Sequence, residues 1–339
     1  MSITQRSGEK AIFKRSHIST NGFLMYTNYG MEIVRATEIA ALTAARLQGL
    51  GKRDEILNST RAAIATTLNR LAIDGTVIND RFQRRKETFQ LPEKLGKGGP
   101  EMDLMAVALE AHHSAADGLN NSTSYAVIAK KGTLQSLPNL SMYKIVVGPA
   151  AQQSIDINQP PIVNVKRVAR ALRKYTENVT VCILDQARHQ QLIKEVRSCG
   201  ARIKLIAEGE ISGCLAAITG EKADIYMGYG YAQESVLVAA AISCLGGYLE
   251  GKIFYENDRD RDEAREHQIT DFEKIYRAQD LIRSKEVAIA ATGITDGEFL
   301  EGVRFTTNGA VTNSFIARGE TRTYRKLETR HFFDYKPVF

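Results

Sequence analysis

The stretch "MDLMAVALEAHHSAADG", Met102 to Gly118, sets one carboxylate, Glu110, two residues before a histidine pair, His112 and His113, in a run of small and apolar residues. Carboxylates and imidazoles are the side chains that hold divalent metals, oxygen donors suiting Mg and Mn and nitrogen donors suiting softer ions. On a helix, neighbouring histidines diverge by about 100°, which makes a shared ion difficult for both. A second stretch with chemistry is "ATGIT", Ala291 to Thr295, between an apolar strand and an expected helix. There Thr292, Gly293 and Thr295 would lie at a helix N-terminus, where unpaired backbone N–H groups attract anions. By itself T-G-x-T is a weak signal that reads more readily as an ordinary strand-to-helix turn than as a phosphate site.

These residues must be carried by regular elements, and the hydrophobic pattern predicts them. "MEIVRATEIAALTAARLQGLG" repeats its apolar residues near helical spacing and closes on Gly49 and Gly51; a second helix is expected in "STRAAIATTLNRLAI", with Ser59 or Thr60 as N-cap. "SYAVIAKKG" and "YKIVVGP" read as strands. Helix and strand then alternate through "NVKRVARALRKYT", "NVTVCILD", "RHQQLIKEVRSCG", "ARIKLIA", "SGCLAAITG", "ADIYMGYG" and "SVLVAAAISCLGG". That alternation predicts parallel α/β layers. "YENDRDRDEAREHQITDFEKIYRAQD" breaks the rhythm and reads as a solvated helix or flexible excursion. The expected organisation is an N-terminal extension over 1–30, an α/β half over 31–150 and a second α/β half over 151–339.

Composition excludes several classes. With 339 residues and 43% hydrophobic content, the chain is long enough to bury one large core or two ordinary ones. Four widely spaced cysteines, Cys182, Cys199, Cys214 and Cys244, fit neither a zinc cage nor a disulfide framework and read as buried thiols of a reducing compartment. No apolar run reaches the ~20 residues of a membrane span, so no membrane partner is expected. The N-terminus is basic and Ser/Thr-rich without an apolar signal core, consistent with a short tail or an organelle transit segment. The expected location is the cytoplasm, or an organelle stroma in the second case. A net charge of +6 is compatible with phosphorylated ligands, but aromatic residues are not interleaved with the basic runs "RFQRRK" and "KRVARALRK". Nucleic acid is therefore not the expected partner.

"LNRLAIDGT", "YKIVVGPAAQQSIDIN", "RHQQLIKEVRSCGARIKLIAEGEISGCLAAI", "MGYGYAQESVLVAAAISCLGGYLEGKIFY" and "ATGITDGEFLEGVRF" together resemble the class II (GlpX-type) fructose-1,6-bisphosphatases, especially the cyanobacterial fructose-1,6-/sedoheptulose-1,7-bisphosphatases. The resemblance runs from about Met31 to His331. It implies a layered α/β/α/β sandwich of the lithium-sensitive sugar-phosphatase type, commonly oligomeric. The implied reaction is hydrolysis of a sugar 1-phosphate by water activated on Mg or Mn held by several carboxylates.

Carried over position by position, those carboxylates are mostly missing. The resemblance puts an Asp at Leu57, with Asp54 and Glu55 out of register. Its first Glu of I-G-E-G-E falls on Asp80 or Arg81, depending on which end is matched. Its D-P-x-E-G-T becomes "VALEAH": the Asp falls on Val107, the Glu is kept as Glu110, and Gly-Thr becomes Ala111-His112. Without the Pro and Gly of that motif, Asp103 to Gly118 reads as one continuous helix. Glu234 keeps another implied carboxylate. The residual metal set is thus Glu110 and Glu234, with Asp80 as a third candidate and Glu110 and Asp80 as the residual catalytic candidates. On the implied sugar-phosphate side, a Tyr falls on Ser141 and a Lys on Gln186, while Arg188 and His189 are kept and an Asp pair becomes Glu208 and Glu210.

"RFQRRK" supplies Arg81, Arg84, Arg85 and Lys86 where the resemblance is acidic. The sequence thus points to a degenerate family member with little or no metal-dependent phosphatase activity and a binding, regulatory or assembly role. The alternative is an active phosphatase with an altered metal site. No cofactor is expected, or Mg or Mn if the chain is active. Candidate partners are a second copy of the chain, a sugar phosphate, and a protein engaging the N-terminal extension or residues 81–86.

Overall fold

The computed structural model describes residues 29–78 and 91–335. Asp80, the basic cluster Arg81, Arg84, Arg85 and Lys86, and nearly all of the expected 1–30 extension lie outside the described residues.

The first half contributes helices α1 (Tyr29–Ala45), α2 (Arg53–Leu68) and α3 (His112–Ala116), and strands β1 (Asp74–Val77), β2 (Lys94–Leu95), β3 (Glu101–Glu110), β4 (Thr123–Lys130) and β5 (Ser141–Val147). Then come α4 (Pro161–Ala171), β6 (Thr180–Leu184), α5 (Gln190–Ser198), β7 (Arg202–Ile206), α6 (Glu210–Thr219), β8 (Ile225–Tyr231), α7 (Ser235–Leu245) and β9 (Tyr248–Ile253). The chain continues through α8 (Asp258–Glu266), β10 (Ile275–Tyr276), α9 (Ala278–Leu281), β11 (Val287–Gly293), β12 (Arg304–Thr306), β13 (Gly309–Arg318) and β14 (Thr323–Phe332).

Two sheets form from these strands. One has eight strands in the order β12-β13-β11-β4-β3-β1-β2, with β14 also paired to β13; the other has six, in the order β10-β9-β5-β8-β6-β7. Sheet membership changes at β5 and again at β11, where the chain returns to the first sheet. The sequence rhythm predicted parallel layers, and β6 does run parallel to β7 and β8. Most other pairings are antiparallel, because the returning strands are joined by hairpins and reversals that element alternation does not encode.

The sheets stack as layers of an α/β sandwich. Helices α6 and α7 lie between them, burying Ile211, Leu215, Val236 and Leu237 against Met105, Tyr125 and Val127 of one sheet and Met142, Cys182 and Tyr226 of the other. Helices α1 and α2 cover the outer face of the eight-stranded sheet, and α4 and α5 the outer face of the six-stranded one. This last pair adds a layer to the four implied by resemblance. α6 and α7 are rich in Ala, Gly and Ser, which lets both sheets approach a helix from opposite sides.

Three further sequence expectations are corrected. Asp103 to Gly118 is not one helix: β3 runs to Glu110, Ala111 turns into the left-handed region at φ 56°, and only His112–Ala116 is helical. β3 is flanked by β1 and β4 and is buried on both faces, so its unbroken apolar run is a central-strand pattern that periodicity cannot distinguish from a buried helix. No helix follows Thr292–Thr295, since residues 294–303 form bends and irregular backbone. The second helix starts at Arg53 after Lys52, leaving Ser59 and Thr60 inside it, where Thr60 bonds back to the Ile56 carbonyl. The charged excursion contains α8, capped by Asn257, whose side chain accepts the Asp260 N–H. Cys182, Cys214 and Cys244 are buried free thiols, whereas Cys199 is half-buried. Among the described residues no helix is long and apolar enough to cross a membrane.

Candidate active-site cleft

A cleft of about 150 Å³ lies where the C-terminal end of β3 meets the N-termini of α6 and α7, lined by Glu110, His112, His113, Gln186, Arg188, Glu208, Glu210, Tyr231 and Glu234. The fold thus brings together every described site residue predicted from the sequence except Thr292, Gly293 and Thr295.

Glu110 stands at the end of β3, just past a register shift against β4 between Val107 and Glu110. Such irregularities re-aim side chains. Here the carboxylate points at the start of α6, accepting the Ile211 N–H at 2.6 Å, the Ser212 N–H at 3.4 Å and the Ser212 hydroxyl at 3.2 Å. It satisfies N–H groups that the helix itself leaves unpaired. Burial, then repulsion from Glu234 and from Glu210, pushes its carboxyl well above the usual carboxylate range against the pull of the Ile211 N–H.

Glu210, one of the pair that the resemblance puts on the sugar-phosphate side, is bonded within the protein. One oxygen forms an ion pair with Lys144, which is fully buried on β5, and the other accepts the Tyr231 N–H at 3.0 Å. Lys144 also donates to the Tyr231 carbonyl at 3.0 Å. A Cβ at Gly230 would collide with the Glu210 carboxylate, so glycine is what admits it. Glu208 bonds His113 Nδ1 at 3.1 Å and accepts the Ser114 N–H at 2.9 Å at the start of α3. Burial pushes its carboxyl up, but the combined hydrogen bonds from Ser114 and His113 prevail and hold it below its ordinary value. The ring centroids of His112 and His113 sit 4.0 Å apart; His112 is buried and His113 reaches the cleft surface.

Arg188 is exposed and donates to Gln186 Oε1 at 2.8 Å, to Ser141 Oγ at 3.2 Å and to the Tyr229 carbonyl at 3.4 Å, with its guanidinium over the Tyr229 ring. Gln186 and Ser141 occupy the two positions that the resemblance gives to Lys and Tyr, so the substituted residues now orient the arginine. His189 is structural: Nδ1 donates to the Leu184 carbonyl and Nε2 accepts the Tyr229 N–H at 2.8 Å.

Thr292, Gly293 and Thr295 lie away from the cleft lining. The Thr292 hydroxyl is buried between those of Thr37 and Ser314 at 2.8 and 2.9 Å, and Thr295 Oγ1 accepts the Ser122 N–H at 2.9 Å. Gly293 is required by close approach, a Cβ there meeting the Glu301 carbonyl. The glycine and hydroxyls of "ATGIT" therefore knit β11 to its neighbours.

A catalytic Mg or Mn needs several carboxylates whose oxygens can turn to the ion. Among the described residues the implied set reduces to Glu110, bonded to the start of α6, and Glu234 at the start of α7, and no group of three His, Cys, Asp or Glu side chains is placed to hold a metal ion. Glu110 and Glu234 alone do not make such a centre, and Asp80, the third candidate, lies outside the described residues. Sequence reasoning missed Lys144 and the His113–Glu208 pair. A lysine inside the otherwise apolar strand "YKIVVGP" was the available signal, because a buried ammonium requires a partner; nothing in the spacing linked positions 113 and 208.

Comparison with known proteins fits this architecture. Residues 27–331 match the family model described as bacterial fructose-1,6-bisphosphatase, glpX-encoded. The D-fructose 1,6-bisphosphatase class 2/sedoheptulose 1,7-bisphosphatase of Synechococcus elongatus is 32% identical over 337 residues, covering 91% of this chain and 98% of that protein. The protein of the same name from Synechococcus sp. strain JA-2-3B'a(2-13) is also 32% identical, covering 91% of this chain and 97% of its own. With its layered fold, its cleft and a match over nearly its whole length, the chain belongs to the class II, GlpX-type fructose-1,6-bisphosphatase family.

Proposed function

We propose that this chain is a family member that no longer hydrolyses sugar bisphosphates efficiently and uses the remodelled cleft to bind a phosphorylated ligand in a regulatory or assembly role. The observation that carries this reading is the commitment of Glu110. The glutamate kept from the implied metal motif serves the N-terminus of α6, Val107 stands where the resemblance implies an Asp, and Lys144 holds Glu210. A metal-dependent hydrolase without its metal loses both the activated water and the charge neutralisation, each worth several kcal/mol of barrier. Arg188 remains suited to a phosphate, its fork already oriented by Gln186 and Ser141.

One observation favours the second reading, an active phosphatase using Asp80, Glu110 and Glu234. Glu110 and Glu234 are close enough to repel one another, as carboxylates gathered around a cation are. Phosphate release from fructose 1,6-bisphosphate and sedoheptulose 1,7-bisphosphate, with Mg or Mn, separates the two. We expect release at the level of a protein-free blank, together with calorimetric binding of fructose 1,6-bisphosphate that weakens at least fivefold in Arg188→Ala. Turnover near that of an intact relative, abolished in Glu110→Ala/Glu234→Ala, would overturn the non-catalytic reading.

A further inference from the structure

We infer that a second pocket, between the charged excursion and the turn after β4, binds a zwitterionic α-amino acid with a neutral polar side chain, its carboxylate on Arg283 and its ammonium on Asp271. The pocket has a volume of about 370 Å³ and shares no lining residue with the cleft. Small-molecule sites begin at about 300 Å³. Main-chain bonds fix its walls: Tyr276 on β10 pairs with Gly251 of β9, the Gln135 N–H donates to the Leu281 carbonyl at 2.9 Å, and the Arg283 N–H donates to the Thr133 carbonyl at 3.1 Å. The excursion, read from the sequence as a solvated helix or flexible segment, supplies most of this lining.

The charges of the lining specify the ligand. Asp271, Lys274, Asp280 and Arg283 are two of each sign, so the pocket offers no net field to a simple anion or cation. Lys274 is paired with Asp280 at 3.6 Å and lies over the Tyr276 ring. Arg283 and Asp271 have no ion-pair partner among the described residues. The Arg283 guanidinium donates to Gln135 Oε1 at 3.1 Å, and Asp271 Oδ1 accepts the Glu273 N–H at 3.0 Å. A ligand with one charge of each sign satisfies both, whereas a single charge leaves the other side uncompensated. A carboxylate matches the fork of a guanidinium, whose remaining N–H groups can hold both of its oxygens.

Tyr276 is an independent sign of a ligand. It lines the pocket and is only 4% exposed, yet its hydroxyl has no hydrogen-bond partner among the described residues. Burial, then the neighbouring Tyr255 and Asp271, pushes this phenol up, so it keeps its proton and can donate it in a hydrogen bond. A buried donor without a partner is costly, and a polar ligand atom removes that cost. Gln135, Gln268 and Gln279 add amides that both donate and accept, which suits a neutral polar side chain rather than an apolar one.

The test is calorimetric titration of the full chain with L-glutamine, L-asparagine and L-serine, with circular dichroism confirming that each variant folds. L-Glutamine is expected to bind, Arg283→Gln and Asp271→Asn each to weaken it at least tenfold, and Tyr276→Phe at least threefold. N-acetyl-L-glutamine, which lacks the ammonium, should bind the wild-type protein at least tenfold more weakly than glutamine does, but Asp271→Asn about as well as glutamine does. L-Glutamine amide, which lacks the α-carboxylate, should show the same behaviour with Arg283→Gln. Arg188→Ala should leave glutamine binding unchanged, which separates this pocket from the cleft and this inference from the function proposed there. Failure of all three amino acids to bind at millimolar concentration would overturn the inference. So would glutamine binding that the pocket variants leave unchanged, or inorganic phosphate binding more tightly than glutamine and lost in Arg283→Gln but not in Asp271→Asn, which would mark a simple anion site.

Discussion

At the scale of single residues, the charged side chains of the cleft are held by the protein itself. Glu110 at the end of β3 accepts hydrogen bonds from the start of α6, and Glu210 is paired with the buried Lys144. A buried pair is costly to break because removal of one partner strands the other charge away from water. Lys144→Met is accordingly expected to destabilise the protein by about 3–5 kcal/mol in denaturant unfolding. Lys144→Met/Glu210→Leu should recover most of that loss, since neither charge is then left alone. An equal loss in both variants would show that Glu210 has another essential partner. Glu110, Arg188 and Glu234 were legible in the sequence as residues of interest because motif positions survive. What their atoms touch was not legible, because such contacts come from distant segments; the donors to Glu110 lie 101 and 102 residues along the chain.

At the scale of elements, the segment from β3 to α3 is the most informative. The register shift at Val107–Glu110 and the left-handed Ala111 lie where the resemblance implies an Asp, a Pro and a Gly that this chain does not carry. The backbone keeps the turn with an alanine at φ 56°, a region costing a residue with a Cβ about 1–2 kcal/mol. Ala111→Gly should therefore raise stability by about 1 kcal/mol, a gain reduced by the greater freedom of glycine in the unfolded chain. Thermal unfolding checks this; a lower midpoint would mean that Ala111 packing outweighs its backbone strain. The same segment was misread as a helix from the sequence, because an apolar run buried on both sides has no period to identify it.

At the scale of the whole molecule, α6 and α7 bind both sheets into a shared core, and the cleft lies where their N-termini meet β3. His189 connects this architecture to solution conditions. Burial, then Arg188, lowers its basicity below the ordinary 6.5, and its neutral Nε2 accepts the Tyr229 N–H on the neighbouring strand. For a group whose folded value is depressed, the contribution to stability is complete above the unfolded value and is lost as pH falls through the folded one. Stability is therefore expected to decline as pH drops below 6.5, and His189→Gln to flatten that limb while lowering stability at neutral pH. Urea titrations at stepped pH provide the comparison; parallel curves for the two proteins would assign the decline to other groups.

The sequence by itself determined the family, the α/β class and the position of most helices and strands of the second half, because apolar periodicity and long motifs are local properties of the chain. It also marked positions where the resemblance implies carboxylates that this chain does not carry, since that is a matter of residue identity. Only the tertiary structure decided that the strands from Val287 onward return to the first sheet, that the "ATGIT" hydroxyls are internal fastenings, and that Glu110 and Glu210 are held by protein donors. Each of these depends on which distant segment packs against a residue, and burial and hydrogen bonding acquire their sign only once that neighbour is in place.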